Sequence, residues 1–432
     1  MLSEWYLDFL DKDYKPKESD IIALFSFKPA RGISDREAIG RLASESSVGT
    51  WTTLPGMPKK RIYKLMARAF WWRKRFVKIA YPIELWEEGS VPQLLSGIGG
   101  NIFGMKAIEK LKLIDAQLPK RYLRKFKGPL YGKDVIRKIF RRKRGPITST
   151  VIKPKVGYTA REHAEIAYQL YMGGIDCVKD DENLTSQSFN KFEERVALMA
   201  KARDKAEKET GDVKDAFMNV TSPTLEELEK RITLLHEYSF RYFMIDVVLS
   251  GFTALGTAVE LAREYKMAIH GHRAMHAMFT RHDHGMSMYF LAKLMRIIGI
   301  DQLHIGTIVG KMEGNKKEIK AMAEMMKAKE VKAISGIRLS QKFYNINGAL
   351  PVASGGLHPG ILPALFNAYG TTDIAIQVGG GVLGHPKGPR EGARAVIEAI
   401  EAYKKGISLR EYAKTHSALN EALKKWGYIR PK

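Results

Sequence analysis

The chain has 432 residues and a mass of 48.8 kDa, which suits two or three domains, or one large α/β barrel with a smaller domain. Hydrophobic residues make up 45% of it, which excludes disorder as the main state, and the single cysteine, Cys177, excludes a disulfide framework and a cysteine-rich zinc site. The N-terminus lacks a signal-peptide pattern, and the uncharged stretch 91–105 is too short to span a bilayer. We therefore expect a cytoplasmic protein with no membrane partner.

The formal net charge is +24. The excess of basic residues is concentrated between residues 51 and 150, a segment that contains 24 basic and six acidic residues. The densest run is 137–144. Such a block indicates nucleic-acid binding, a solvated face, or a field that attracts a multiply phosphorylated substrate. It lacks the frame of an RNP, KH or zinc-finger module, so nucleic acid is expected only as a secondary partner.

Residues 1–135 mix strand patterns, at 21–29 and 75–83, with helical patterns, at 35–46 and 106–118. This mixture predicts a small N-terminal α+β domain.

From residue 136 to 432 short apolar runs alternate with longer amphipathic stretches, and two short helices are expected at the C-terminal end, 401–432. Eight strand–helix units in ~250 residues predict an α/β fold in which a (β/α)8 TIM barrel forms the C-terminal catalytic domain. The predicted strands are 148–153, 174–179, 215–220, 242–248, 267–272, 302–306, 349–354 and 373–379.

Active sites of such barrels lie at the C-terminal ends of the strands. Every predicted strand has ionisable, polar or glycine residues at that end. A functional site explains this pattern better than chance placement of such residues at all eight strand ends. The residues concerned include Lys153, Lys179, Asn219, Asp246, His272, His304, Ser354 and Gly379.

The segment KDDEN (179–183) follows the second predicted strand. Asp181 and Glu182 offer the oxygen ligands that suit Mg²⁺. Lys179 becomes a ligand only when CO₂ converts its amine into an anionic carbamate, because an ammonium has no lone pair to donate. The alternative is a helix N-cap, with the acids at the positive end of the helix dipole.

Lys153 and Lys155 share one face of an extended strand. They indicate a proton-transferring lysine beside an anion binder, or else a pair that extends from the barrel mouth into water. In HGHRAMH (270–276), Arg273 is typical of a phosphate clamp and His272 of an acid, a base or a substrate-orienting group.

Three glycine-rich segments follow the last three predicted strands. Glycines at 306, 310 and 314 predict a mobile lid that carries Lys311 into the site. The segments 354–356 and 379–381 expose backbone N–H groups of the kind that bind phosphates.

Together these residues resemble the large, catalytic subunit of ribulose-1,5-bisphosphate carboxylase/oxygenase, Rubisco. The resemblance covers nearly the whole chain, and its most specific part is KDDEN with KPK upstream and GKMEG downstream. The motifs that carry it lie at 44–53, 99–108, 151–157, 173–183, 270–277, 303–314, 350–360 and 377–386.

The resemblance implies a role for each catalytic residue. Lys179 is the carbamylated lysine, and with Asp181 and Glu182 it holds one Mg²⁺ per active site. Lys153 is the base that removes the C3 proton, and His272 transfers protons during hydration. Lys311 stabilises the carboxylated transition state.

The resemblance also implies substrate-binding residues from two chains. Those of the barrel are Lys155, Arg273, His304, Ser354, Gly355, Gly356, Gln377, Gly379 and Gly380. In this family the N-terminal domain completes the site of the neighbouring subunit. The residues that do so here are Glu45, which pairs with Lys311 on closure, Thr50, Trp51 and Asn101.

The implied reaction is carboxylation of ribulose 1,5-bisphosphate with CO₂ and water to two 3-phosphoglycerate, with O₂ as the competing substrate. The segments GGLHPG and DENLTS resemble the archaeal-type branch, which implies a role in nucleotide (AMP) salvage, a homodimer or ring of dimers, and no small subunit. The stretch after Trp51 departs from relatives, because it is compressed and strongly basic. A rival is a Rubisco-like enolase or isomerase, but such relatives lack several of the four lysines at 153, 155, 179 and 311.

Overall fold

The computed structural model describes residues 5–50, 54, 56, 58–309 and 316–428. No helix within these ranges is long and apolar enough to cross a membrane. The chain forms two compact units, and the domain bounds predicted above, 1–135 and 136–432, remain a prediction. The first unit comprises residues up to 128 with 275–297 and 328–346, and the second comprises 129–274, 298–327 and the chain from 347 onwards.

The strands, numbered in chain order, are β1 (Ile21–Pro29), β2 (Arg68–Arg73), β3 (Phe76–Tyr81), β4 (Ile108–Gln117), β5 (Ile147–Val151), β6 (Cys177–Lys179), β7 (Asp215–Phe217), β8 (Tyr242–Asp246), β9 (Ala268–His272), β10 (Gly285–Met286), β11 (Gln302–His304), β12 (Glu330–Val331), β13 (Gln341–Lys342), β14 (Leu350–Ser354) and β15 (Ala375–Gln377).

The α-helices are α1 (Asp35–Glu45), α2 (Lys59–Leu65), α3 (Val91–Ile98), α4 (Lys120–Leu123), α5 (Val135–Lys138), α6 (Ala160–Met172), α7 (Phe192–Thr210), α8 (Leu225–Glu237), α9 (Gly251–Glu264), α10 (Ala277–Thr280), α11 (Met288–Ile298), α12 (Lys316–Lys327), α13 (Leu362–Tyr369), α14 (Gly380–Leu383), α15 (Pro389–Lys404), α16 (Leu409–Tyr412) and α17 (Ser417–Trp426). Short 3₁₀ helices lie at Trp5–Phe9, Ile83–Leu85, Asn101–Gly104, Gly132–Asp134 and Pro359–Ile361.

The first unit is built on a five-stranded sheet with the order β10-β4-β1-β3-β2. Its long strands pair antiparallel, and only β10 runs parallel to its neighbour β4. The strands predicted at 21–29 and 75–83 are therefore confirmed as β1 and β3. The helix predicted at 35–46 is confirmed as α1, which begins after Ser34, whose side chain accepts a hydrogen bond from the backbone N–H of Glu37.

The helix predicted at 106–118 is wrong, because this segment is the strand β4. Its apolar residues are spaced irregularly enough to match a helical period as well as a strand. Strand pairing makes this segment a strand, because β4 lies between β1 and β10 and forms backbone hydrogen bonds with both. Tertiary contacts of this kind override weak local preference.

A buried ion pair fixes β4 to α11. The Lys293 Nζ lies 2.5 Å from the Asp115 Oδ1, and neither side chain is exposed. The Asp115 carboxylate also accepts the backbone N–H of Leu339 at 2.8 Å. Burial raises the pKa of Asp115 and lowers the pKa of Lys293, so each ion depends on its partner to remain charged.

The second unit is an eight-stranded parallel sheet with the order β7-β6-β5-β15-β14-β11-β9-β8. It closes between its first and last strands, because the backbone N–H of Met244 donates to Met218 at 2.8 Å and that of Val220 donates to Met244 at 2.9 Å. All eight predicted strands are present, and the two short C-terminal helices are α16 and α17. The predicted fold class, a (β/α)8 barrel with a smaller N-terminal α+β unit, is confirmed.

The two ends of the barrel differ in chemistry. An apolar cluster fills it from the N-terminal end, where residues of β5, β6, β8, β9 and β14 meet Ile139 and Phe140 of the segment after α5. At the C-terminal end the last residue is polar in six of the eight strands. These residues are Lys179, Asp246, His272, His304, Ser354 and Gln377.

We expect Lys293→Met to destabilise the first unit by about 3–5 kcal/mol, because the substitution leaves the Asp115 carboxylate buried without its cation. Urea unfolding followed by circular dichroism measures the loss. The control is Lys110→Met, which removes an exposed pair with Asp283 at 3.7 Å and should cost less than ~1 kcal/mol. Equal losses in the two variants would contradict the role given to the buried pair.

Candidate active site

Lys179, the last residue of β6, is completely buried at the C-terminal end of the barrel. Its Nζ donates to the backbone carbonyl of Asp180 at 2.7 Å and lies 3.9 Å from the Glu182 Oε2. Burial lowers the pKa of Lys179, although the carboxylates of Glu182, Asp246 and Asp181 act in the opposite direction. The side chain is therefore closer to its uncharged, nucleophilic form than a lysine in water.

Asp180 shapes the loop that follows Lys179. Its Oδ2 lies 3.1 Å from the Nη2 of the fully buried Arg195, and His163 lies 3.3 Å from its Oδ1. Burial acts to raise the pKa of Asp180, but Arg195 and His163 outweigh it and lower the pKa to about 2. Arg195 also bonds to Asn190 and to the carbonyl of Thr185, so one buried guanidinium holds both ends of the loop.

The helix N-cap explanation for KDDEN is wrong, because the next helix, α7, begins at Phe192. Asp181 instead faces Lys153, whose Nζ lies 2.5 Å from its Oδ2. The other oxygen of Asp181 accepts the backbone N–H of Asn183 at 3.1 Å and its side-chain amide at 2.9 Å. Burial acts to raise the pKa of Asp181, but the bonds from Lys153 and Asn183 outweigh it, so the pKa is lowered and the carboxylate stays ionised.

Three basic side chains lie within ion-pairing distance of the Glu182 carboxylate. Lys155 lies 3.6 Å from its Oε1, and Lys179 and the His272 Nε2 lie 3.9 Å and 3.6 Å from its Oε2. Burial acts to raise the pKa of Glu182, but His272 and Lys179 outweigh it and lower the pKa. Two ionised carboxylates, Asp181 and Glu182, thus flank the buried amine of Lys179.

His272 is oriented from below by a carboxylate. Its Nδ1 lies 2.8 Å from the Oδ1 of Asp246, the last residue of β8, and this leaves the Nε2 directed at Glu182. A histidine held in this way presents one defined nitrogen to a reactant.

Two further imidazoles form a hydrogen-bonded chain. The His270 Nε2 lies 2.8 Å from the His304 Nε2, and the His304 Nδ1 lies 2.8 Å from the Ser354 Oγ. Burial lowers the pKa of both histidines well below the usual value, so both are neutral near pH 7. His304 and Ser354, which were predicted to bind substrate, are brought together by this chain.

Arg273 lies beside the start of the predicted lid. A Cβ added at Gly306, whose φ is +90°, would lie 3.0 Å from the Arg273 Nη2. The carbonyl of Gly306 accepts the hydroxyl of Tyr369 at 3.1 Å. The close approach of the guanidinium and the left-handed backbone together require glycine at this position.

The predicted phosphate-binding glycines follow β14 and β15. Gly355 and Gly356 have φ of +105° and +68°. A Cβ added at Gly379 would lie 3.0 Å from the side chain of Val151 and 3.8 Å from the Cε of Lys153, so glycine keeps this backbone close to the lysine. Gly380 opens α14, and a Cβ there would meet open space.

Gln377, at the end of β15, is buried, and its Oε1 accepts no hydrogen bond within the described part of the chain. A buried acceptor of this kind is costly unless a ligand satisfies it.

The remaining predicted residues belong to the first unit or to segments without a description. Glu45 ends α1 and is exposed, Thr50 follows it, and Asn101 opens a 3₁₀ helix and is exposed. Trp51 and Lys311 lie outside the described residues.

The barrel residues fit a magnesium ion if a third anionic ligand is supplied. Among the described residues no group of three His, Cys, Asp or Glu side chains is placed to hold a metal ion. Two ionised carboxylates are present, and the amine beside Glu182 accepts CO₂ when uncharged. A carbamate on Lys179 would complete a set of hard oxygen donors of the kind Mg²⁺ prefers.

Sequence reasoning missed the partners that orient the predicted residues. The sequence places Asp246 at the predicted barrel end but gives no role to it, to His270 or to Asn183, yet these residues hold His272, His304 and Asp181. Asp246 and His270 were detectable as polar residues at strand ends. The bond from Asn183 depends on the turn of the loop, for which the sequence carries no clear signal.

Two family models match the chain. The ribulose bisphosphate carboxylase large chain catalytic domain matches residues 132–426, and the N-terminal domain of the same large chain matches residues 8–122.

The full length of the chain is similar to archaeal proteins. The ribulose bisphosphate carboxylase of Pyrococcus furiosus is 48% identical over 437 aligned residues, which cover 100% of both chains. That of Archaeoglobus fulgidus is also 48% identical, over 99% of each chain.

Solved structures give the same result. The dimeric archaeal Rubisco from Hyperthermus butylicus superposes with a TM-score of 0.93 at 49% identity, covering 98% of this chain and 100% of that one. The octameric Rubisco from Pyrococcus horikoshii, in complex with sulfate ion, superposes with a TM-score of 0.91 at 46% identity, covering 99% and 98%. The resemblance read from the motifs is confirmed, and the chain belongs to the ribulose bisphosphate carboxylase large chain family of enzymes.

Proposed function

We propose that this chain carboxylates ribulose 1,5-bisphosphate with CO₂ and water to give two 3-phosphoglycerate, in a reaction that depends on Mg²⁺. The observation that carries the proposal is the fully buried Lys179 beside the carboxylates Asp181 and Glu182. This combination supports an amine that CO₂ converts into a metal ligand. A barrel end with a purely structural role would gain little from it, because burying charged groups is costly.

Activation balances as a simple addition. The uncharged Nζ of Lys179 attacks the carbon of CO₂, a C–N bond forms, and one proton leaves to solvent. The product is a carbamate with two oxygens and one negative charge. Lys179 as carbamate, Asp181 and Glu182 would hold the metal, which, when bound, supplies positive charge that polarises the substrate carbonyl.

The side chains around this centre suit proton transfer. An amine accepts a proton only in its uncharged form, so Lys153 would leave Asp181 and give its ammonium proton to solvent before it acts as the base for the C3 proton. His272, fixed by Asp246, would move protons during hydration through its Nε2. Lys155 assists the base and contacts substrate.

We assign the phosphates of the substrate to residues that lie at, or directly after, the C-terminal ends of the barrel strands. Arg273 and His304 would bind one phosphate, and Ser354 with the glycine backbones at 355, 356, 379 and 380 would bind the other phosphate and the hydroxyls. The unsatisfied Oε1 of Gln377 supports a hydroxyl donor at that position.

The active site is proposed to be shared between two chains. Glu45, Thr50, Trp51 and Asn101 of one subunit would complete the barrel of its neighbour, and Glu45 would pair with Lys311 when the lid closes. Closure excludes water and strengthens each charge interaction. We propose a homodimer or a ring of dimers, without a small subunit.

The physiological setting is a separate part of the proposal. Oxygenation by O₂ at the same site is proposed from the family resemblance, a role in AMP salvage from the archaeal-type resemblance, and a cytoplasmic location from the absence of a signal-peptide pattern. The decisive assay incubates the protein with ribulose bisphosphate, Mg²⁺ and labelled bicarbonate and looks for labelled 3-phosphoglycerate.

Lys179→Ala should abolish carboxylation, because the third metal ligand is lost. The fold should remain intact. In the wild type, activation by CO₂ and Mg²⁺ should become faster as pH rises, since only the uncharged amine reacts, with a midpoint below the 10.5 of an ordinary lysine. The control is Lys214→Met, which removes another buried lysine, adjacent to the start of β7, and should activate normally. Full activity in Lys179→Ala would reject the assignment.

Lys311→Ala should lower kcat by about 10²–10³ with a smaller change in KM, because its charge acts mainly in the transition state. Exchange of the C3 proton with solvent should survive, since it depends on Lys153. Proton exchange followed by NMR and fixation of labelled CO₂ measure the two steps, and Lys316→Ala serves as the neighbouring-lysine control. Equal loss of both steps would show that Lys311 is not selective for carboxylation.

Mixing Asn101→Ala subunits with Lys179→Ala subunits should restore part of the activity. In the mixed dimer one site combines an intact barrel with an intact N-terminal domain. The control mixture, Lys153→Ala with Lys179→Ala, damages both barrels and should stay inactive. If subunit exchange is verified by mass spectrometry and neither mixture recovers, each site is self-contained.

A further inference from the structure

A block of the first unit carries charge that the proposed carboxylation does not use. Residues 46–83 contain nine lysines and arginines and no aspartate or glutamate. The exposed cations of α2 and of the β2–β3 hairpin form what we call the basic patch. They are Lys59, Lys60, Arg61, Lys64, Arg73, Lys74 and Arg75.

The basic patch is not neutralised by the fold. None of its seven cations lies within ion-pairing distance of a carboxylate in the described ranges, and in the block only Arg68 approaches one, Asp11, at 4.0 Å. The cations of α7 have a different environment. On α7 the lysines alternate with acids, and Lys205 lies 4.0 Å from Glu209. The four cations of α2, which lie on one short helix, therefore project a concentrated positive field.

The α2 part of the patch faces solvent as a concave surface. No residue of this helix is buried. An open concavity of about 510 Å³ is lined by Pro58 and the four cations of α2, with no acidic side chain. The cations of α2 are exposed, so packing of the fold does not require a basic side chain at these four positions.

Exposed aromatic rings lie within the same block. Tyr63 is 52% exposed and Trp71 is 38% exposed. The Nζ of Lys78, across the strand pair from Trp71, lies 4.8 Å from the centroid of its ring. An exposed indole between cations offers a surface on which a base stacks while the cations bind phosphates.

We propose that the basic patch, with Tyr63 and Trp71, binds single-stranded nucleic acid. The cations match a phosphate backbone, and the rings match unpaired bases, which a duplex keeps stacked inside. The contact proposed above between two copies of the chain uses Glu45, Thr50, Trp51 and Asn101, none of which belongs to the basic patch. A membrane surface is a poor occupant, because the apolar residues of α2, Ile62 and Leu65, are half-buried.

The test measures binding of the full-length protein to a labelled oligouridine of about 20 nucleotides by fluorescence anisotropy, over a salt series of about 50–300 mM. The patch variant is Lys59→Ala/Lys60→Ala/Arg61→Ala/Lys64→Ala, which disturbs no buried side chain. The matched control removes four exposed cations from the start and the face of α7, as Lys191→Ala/Lys201→Ala/Lys205→Ala/Lys208→Ala.

The patch variant should lose at least about tenfold in affinity, and its slope of log K against log salt should become shallower by about 2–3. The α7 control should bind within about twofold of the wild type. Trp71→Ala should lose about tenfold with an unchanged salt slope, because it removes stacking but no charge. Both patch variants should keep carboxylation, which shows that they are folded.

Three results would overturn the proposal. Equal loss in the patch variant and the α7 control would mean that net charge alone attracts the RNA. A duplex of the same length that binds as well as the single strand, with Trp71→Ala unchanged, would remove the role of the rings. Binding of the wild type to vesicles of anionic lipid but not to oligouridine would assign the surface to a membrane.

Discussion

The carboxyl end of the barrel is organised by one constraint, a lysine amine without water around it. Lys179 ends β6 inside the barrel, where its Nζ donates to the backbone carbonyl of Asp180 and lies 3.9 Å from the Glu182 carboxylate. The carboxylates of the loop after β6 need cations, and these come from outside the loop. Lys153, which follows β5, pairs with Asp181, and the buried Arg195 of α7 holds Asp180. Removing any of these charges leaves its partner in a medium of low polarity, and this interdependence fixes the loop without a helix.

The barrel separates packing from chemistry along its axis. Its N-terminal end is filled by apolar side chains and by the segment after α5, while six strands end in polar residues at the other end. The apolar end supplies stability that does not depend on the reactive groups, so the polar end tolerates neutral imidazoles, an unsatisfied amide oxygen and glycines with left-handed backbone. Such features are concentrated where ligands bind.

Much of this arrangement was predictable because it is periodic. The eight barrel strands and the residues at their ends follow from alternation of apolar and amphipathic segments, and KDDEN follows from its motif. The strand β4 was mistaken for a helix, because its apolar spacing is ambiguous and its pairing partners are remote in sequence. The bond between His272 and Asp246 joins residues on neighbouring strands, and sequence spacing does not reveal which polar ends face each other.

The position of Glu182 has a consequence for how substitutions at this end of the barrel combine. One carboxylate serves Lys155, Lys179 and His272 at the same time. When one of the three bases is lost, the other two face a carboxylate that fewer cations neutralise, so their interaction with it becomes stronger. The free energies measured for single substitutions of these three residues are therefore not additive. The contribution of each side chain depends on whether the other two are present.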